Sequence, residues 1–279
     1  MRIALCNEVL MPMPFARQCE YAAALGYEGL ELAPYTVSSE PHLLKDAEIA
    51  ALRRAASDAG IAILGLHYLL VAPKGLSITT PDDAVRSRTV DVMRSLVDLC
   101  AELGGRYLIH GSQREVEPGE TPEIARNRAR DCFAAIAAGA EARGVLYCIE
   151  ALASNITPVI TNLQEAAAIV DWIGSPAVKT MIDCNHASKM EGAPLAEVID
   201  RWLPTGKIGH VQINDPNRRG PGQGSVRFVP VFEALVRNAY AGDISVEPME
   251  YVPDGAGSAA RAIGYVRGIL EALGSNGAK

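Results

Sequence analysis

Gly144-Val145-Leu146-Tyr147-Cys148-Ile149-Glu150 is the stretch on which the fold turns. A glycine suited to a left-handed helix exit is followed by a short apolar run that ends in a carboxylate. The run does not alternate with polar residues, which suits a strand buried on both faces, as in a parallel sheet covered by helices. Helical periodicity precedes it over Pro122–Arg143 and follows it over Leu163–Ile173. The order is therefore helix, strand, helix, as in a chain of repeated βα units.

The same unit repeats outward in both directions. Toward the N-terminus the strands are Arg2–Asn7, Gly29–Leu32, Ile61–His67 and Arg106–His110. Helices are predicted over Pro14–Leu25, Asp46–Ala59 and Asp82–Leu103, with Gly26, Gly60 and Gly104 at their exits. Toward the C-terminus the strands are Val178–Asp183, Ile208–Ile213 and Asp243–Glu247, with helices over Leu195–Trp202, Phe228–Ala239 and Ser258–Leu273. Eight βα units without a Pro- or Ser-rich linker in 279 residues predict one (β/α)8 TIM barrel spanning residues 1–279. A doubly wound open sheet would carry a Gly-rich phosphate loop after its first strand. Glu8-Val9-Leu10-Met11-Pro12-Met13-Pro14 contains no glycine.

Composition narrows the function classes. Lys+Arg 26 against Asp+Glu 33 gives a formal charge of −7, which disfavours nucleic-acid phosphate backbones as partners. No apolar stretch is long enough for a membrane span, and Met1-Arg2-Ile3-Ala4-Leu5 enters a strand directly, without a signal-peptide pattern. Six cysteines without a CxxC pair read as buried thiols in a reducing compartment, so a cytoplasmic protein is expected.

A TIM barrel carries its site at the C-terminal strand ends. Glu8, Glu31, His67, His110, Glu150, Asp183, His210 and Glu247 fall there. Carboxylates converging on one mouth repel one another unless a cation offsets them. Glu150, Asp183, His210 and Glu247 make a mixed oxygen and imidazole cage suited to Mn²⁺, Mg²⁺, Co²⁺ or Zn²⁺. Such an ion, holding a carbonyl and its neighbouring hydroxyl, acidifies the adjacent C–H, and two carboxylates then remove and return a proton through an enediolate.

These residues resemble the xylose isomerase-like TIM barrel superfamily, in its sugar phosphate isomerase/epimerase group with the D-tagatose/D-psicose 3-epimerases. The resemblance runs the length of the chain. It rests on Gly65-Leu66-His67, Ile109-His110-Gly111, Cys148-Ile149-Glu150, Ile182-Asp183-Cys184-Asn185-His186, His210-Val211-Gln212-Ile213-Asn214-Asp215 and Val246-Glu247-Pro248. It implies one divalent metal, commonly Mn²⁺, on Glu150, Asp183, His210 and Glu247, with Glu150 and Glu247 as the acid/base pair. It also implies that His186 and a loop arginine, Arg218 or its neighbour Arg219, hold substrate oxygens. Arg218 is the choice. His67 and His110 are expected to line the sugar pocket, with a second metal as the alternative. Small-molecule sugars are the expected partners, with homodimers or homotetramers common in such relatives.

The resemblance also has a departure. The ketose 3-epimerases carry a further Glu six residues after the strand-five metal Glu, where this chain has Ile156 preceded by Asn155. Two other readings use the same cage. One is a lyase, a dehydratase or decarboxylase acting on an oxidised sugar, sugar acid or inosose. The other is a three-zinc AP endonuclease of the endonuclease IV type. That family needs an Asp-x-His pair in the loop where this chain reads Gly222-Gln223-Gly224-Ser225-Val226-Arg227-Phe228. Elsewhere, the Val71–Pro81 loop is long enough for a lid, Tyr68 and Phe15 could pack on a sugar face, Glu31 could support the ligands, and Trp172 and Trp202 read as packing residues.

Overall fold

The computed structural model describes residues 1–274. Eight short strands, β1 (Ile3–Cys6), β2 (Gly29–Leu32), β3 (Ala62–Leu66), β4 (Tyr107–His110), β5 (Leu146–Ile149), β6 (Val178–Asp183), β7 (Ile208–Ile213) and β8 (Ile244–Val246), pair in sequence order into a closed barrel. All pairings are parallel, including β1 with β8, where an ion pair of Arg2 Nε with Asp243 Oδ1 at 2.9 Å reinforces the seam. The (β/α)8 fold expected from the repeated unit is the fold observed.

The helices are α1 (Phe15–Leu25), α2 (Asp46–Asp58), α3 (Asp83–Glu102), α4 (Pro122–Arg143), α5 (Leu163–Ile173), α6 (Cys184–Met190), α7 (Leu195–Trp202), α8 (Phe228–Arg237) and α9 (Gly255–Ala272). Side-chain oxygens of Asp82, Thr121 and Asn162 cap α3, α4 and α5, accepting backbone N–H groups that have no intrahelical partner. α1, α4 and α5 end on Gly26, Gly144 and Gly174 in the left-handed conformation.

Strand alternation divides the core into two layers. Tyr147 and Ile149 of β5 face outward into the large apolar layer beneath the helices. Cys148 faces inward, where it joins Ala4, Leu64, Tyr107, Ile109 and Met181 as the plug of the barrel. This plug fills the lower barrel, so the polar strand ends have nowhere to gather but the C-terminal mouth.

Two expectations change. α6 was not foreseen, and it is the helix that carries His186. The Val71–Pro81 loop is pinned rather than free: the Ile78 and Ser77 N–H groups donate to Gln113 O and Thr89 Oγ1, Thr79 Oγ1 donates to Glu115 O, and Leu76, Ile78 and Thr79 are buried. All six cysteines are buried and unpaired. Among the described residues no helix is long and apolar enough to cross a membrane.

Candidate active site

Glu150 follows β5, Asp183 ends β6 and Glu247 follows β8, so the barrel itself brings the three carboxylates to one mouth. Asp183 Oδ1 accepts the His186 N–H at 2.7 Å and thereby caps α6, while its Oδ2 accepts from Asn214 Nδ2, also at 2.7 Å. The same Nδ2 lies 3.2 Å from Glu247 Oε2, tying the two acids to one amide. Ligand atoms of Glu150, Asp183 and His186 lie within 4.8 Å of one another. Gly111 makes room for this arrangement, because a Cβ there would sit 1.9 Å from Glu150 Oε2.

His210 does not join them. In the register of β6 with β7, Met181 pairs with His210 and Asp183 pairs with Gln212. His210 therefore lies one layer below the mouth, beside the plug. It is fully buried, with Nε2 3.0 Å from both Ser245 Oγ and Glu31 Oε2 and its ring stacked on Tyr107. The residue at the level of the acids is Gln212, two positions on and on the same face. Its Nε2 donates to Glu31 Oε1 at 2.6 Å, and its Oε1 is buried with no donor. Glu31, expected to support the ligands, accepts from Gln212, Ser245 and Cys6.

The electrostatics are those of crowded, buried carboxyls whose nearby cations only partly offset them. Burial, and then the neighbouring Asp183, pushes the Glu150 carboxyl up to about 8. Burial raises Glu247 well above the carboxylate range despite the opposing hydrogen bond from His67. An orphaned buried carbonyl oxygen among crowded carboxylates is what a divalent cation would satisfy. Glu150, Asp183, Gln212 and Glu247 thus fit such an ion with an all-oxygen donor set, the preference of Mg²⁺ or Mn²⁺.

A cavity of about 380 Å³ opens over the acids. Of the expected substrate residues, His67, His186 and Arg218 line it, as does Tyr68; His110 and Phe15 do not. His110 points outward because alternation along β4 turns Ile109 into the barrel. Its Nδ1 is 2.6 Å from Tyr147 Oη, and its ring meets Phe133 edge-on. Burial, and then Arg114, lowers its pKa to about 3, so it is a neutral packing residue. His67 instead has Nε2 2.9 Å from Glu8 Oε2 and Nδ1 3.4 Å from Glu247 Oε1. Burial opposes its charge, but Glu8 and Glu247 outweigh burial and raise its pKa well above the usual imidazole value.

His186 is held differently. The Ala153 N–H donates to its Nδ1 at 3.1 Å, so the neutral ring carries its proton on Nε2, 3.7 Å from Glu150 Oε1. Tyr68 and Arg218 both have left-handed backbones, with φ 49° and 67°, uncommon outside glycine. Arg218 is held there by Met249 and Glu250, whose N–H groups donate to its carbonyl at 2.8 Å. Asn155 and Ile156, at the departure noted above, also line the cavity, as do Arg114 and Lys189. Arg114 was missed, since a lone arginine in a loop gives no periodic or motif signal. Trp172 is more exposed than a packing residue, with Arg130 over its ring at 4.0 Å.

Fold and site together define a barrel enzyme scaffold with an acidic mouth. The chain belongs to the xylose isomerase-like TIM barrel family, whose model matches residues 19–268. A Streptomyces coelicolor protein provisionally assigned as a hydroxypyruvate isomerase is 30% identical over 251 residues, covering 84% of this chain and 85% of its own. An L-ribulose 3-epimerase of Mesorhizobium japonicum is 28% identical over 208 residues, 72% of this chain and 67% of its own. In fold, the chain is similar to the D-psicose 3-epimerase of Clostridium cellulolyticum H10, solved with D-tagatose, at TM-score 0.81 and 21% identity, covering 97% and 99% of the two chains.

Proposed function

We propose that the protein is a divalent-metal-dependent isomerase or epimerase that moves a proton on the carbon next to a carbonyl of a sugar or a related hydroxy-carbonyl compound. The observation that carries this reading is that Glu150 and Glu247, which follow strands β5 and β8, line the same cavity. Two carboxylates facing one substrate can divide the removal and the return of a proton between them. The metal ligands in this reading are Glu150, Asp183, Gln212 and Glu247, with Gln212 replacing His210, and the ion is Mn²⁺ or Mg²⁺. When bound, the ion supplies Lewis-acid polarisation of the carbonyl and an electrostatic sink for the enediolate charge.

The chain's own residues supply the rest. One of Glu150 and Glu247 removes the α proton and the other returns one: return to the same carbon on its opposite face gives the epimer, and delivery to the former carbonyl carbon gives the isomer. His67 holds Glu247 at 3.4 Å and is itself held by Glu8 at 2.9 Å. His186 offers its Nε2–H to a substrate oxygen beside Glu150. Arg218 reaches the cavity from the loop after β7. The similarity to isomerases and epimerases over more than two thirds of this chain supports the reading.

The test is metal analysis combined with proton exchange in D₂O over ketoses and hydroxy-oxo acids. About one divalent ion per chain is expected, with deuterium entering next to the carbonyl and the molecular formula otherwise kept. Glu150→Gln and Glu247→Gln should each fold yet lose about 10²–10⁴-fold in turnover. A fully active EDTA-treated protein, or release of water or CO₂ as the product, would overturn the reading; the latter would make the enzyme a lyase.

A further inference from the structure

Arg114 is 2% exposed and lines the cavity. Its guanidinium donates one bond, from Nη2 to the Glu150 main-chain oxygen at 2.6 Å, while Nε and Nη1 have no acceptor. Among the described residues no carboxylate forms an ion pair with it. Its main chain is fixed as well, since Thr157 Oγ1 donates to the Arg114 carbonyl at 2.9 Å. A buried guanidinium stays charged and is costly to bury without a counter-charge. Here the nearby Glu150 carboxyl acts on the guanidinium without bonding to it, and the unpaired donors belong to a residue of the cavity wall.

The rest of that wall points the same way. Arg218 lines the cavity and reaches only Glu250, at 3.8 Å, with its side chain 46% exposed. Lys189, also on the wall, is held by Asn185 Oδ1. Neutral Asn155 and Ile156 also line the cavity, and its acidic lining residues are Glu150, Glu247 and the exposed Glu115. The cavity is bipolar: buried carboxyls on one side and arginines on the other.

Resting on the isomerase or epimerase reading, we propose that Arg114, assisted by Arg218, binds an oxyanion carried by the substrate itself, a carboxylate or a phosphate, at the end remote from the carbon that exchanges its proton. Arg114 is then a specificity-determining residue, and the preferred substrate is an anionic hydroxy-carbonyl compound. The planar fork of the guanidinium matches two oxygens of either anion. Because Arg114 bonds to the main chain of Glu150, a substrate held by its anion is held beside that acid/base residue.

The test is equilibrium binding to the Mg²⁺-loaded protein of three unreactive probes, glycerol, glycerate and glycerol 3-phosphate. At least one anion should bind 30-fold or more tighter than glycerol, and the tighter of the two identifies the source. In Arg114→Met the preference should fall below threefold, in Arg114→Lys it should survive in part, and in Arg218→Met it should weaken. Arg218 lies at the rim, so that variant keeps the test available if the buried site tolerates no change. Equal binding of all three probes by the wild type overturns the proposal, as does a preference that persists undiminished in Arg114→Met and Arg218→Met, which would assign the anion to the metal. The readout needs no turnover. Anion selectivity without deuterium exchange would sink the isomerase reading and leave this site standing, and exchange without selectivity would do the reverse.

Discussion

Gln212 donates its side-chain amide to Glu31 Oε1 at 2.6 Å and presents its own buried Oε1 to no donor. A buried carbonyl oxygen left bare costs about 1–3 kcal/mol. Gln212→Leu should therefore lower Mg²⁺ or Mn²⁺ affinity by at least about 10–100-fold, in the range seen for residues around metal ligands. His210→Phe should leave affinity nearly unchanged but cost about 1.5–3 kcal/mol of stability, because it removes a hydrogen bond to the Glu31 carboxylate. Calorimetric metal titration and denaturant unfolding read the two effects. The opposite pattern would return His210 to the ligand set.

Gly111→Ala should damage catalysis without unfolding the chain. The added methyl would fall 1.9 Å from Glu150 Oε2, and the carboxylate is the group free to move. A displacement on the order of 1 Å at a reacting group costs about 10²-fold in kcat. Steady-state kinetics beside a circular dichroism melt would separate this from misfolding; unchanged kcat would show that Glu150 tolerates the shift.

The metal-free protein should lose stability as pH rises. Glu150 has a folded pKa of about 8 against an ordinary unfolded value near 4.5. Between these values the folded state binds the extra proton, so stability is full below the lower value and declines up to the higher one. The slope is up to about 1.4 kcal/mol per pH unit for one such group. Glu247, also raised, adds to it. Thermal melts with EDTA from pH 5 to 8 should show falling Tm, Glu150→Gln should flatten the fall, and saturating Mn²⁺ should reverse it because the ion competes with protons for the same oxygens.

His110→Phe should act on stability alone. It strands Tyr147 Oη, now 2.6 Å from His110 Nδ1, at a cost of about 1–3 kcal/mol. The ratio kcat/KM should stay within about threefold, since the residue does not touch the cavity. A folded variant with a large loss of activity would place His110 back among the substrate contacts.

Much of the barrel was legible because its signals are local. β2, β6 and β7 span the residues read from the apolar runs, and Gly144 marks the turn before β5. α6 was hidden because it starts immediately after β6, with Asp183 serving both as strand end and as helix cap, so no turn residue separates them. For His110, alternation along Tyr107–His110 carried the answer: if Ile109 faces the plug, its neighbour faces the helices.

The choice between His210 and Gln212 was different in kind. Both lie on one face by the period of two, and which one is level with Asp183 depends on register. The pairing shifts between Thr180 and Met181, opposite Gly209, where a Cβ would lie 2.8 Å from Cys148 Sγ. No spacing rule predicts such a bulge, and an imidazole draws the eye before an amide does. Arg114 was invisible for a related reason: its significance lies in partners it lacks.

Because β1 hydrogen-bonds to β8, every strand of the sheet has a neighbour on both sides. The ring offers no free edge on which another chain could add a strand. Self-association of this barrel must therefore use helix faces or loops. A surface substitution on the helical shell, such as one at the exposed Trp172 of α5, can change assembly without altering the sheet that sets the spacing of Glu150, Asp183 and Glu247.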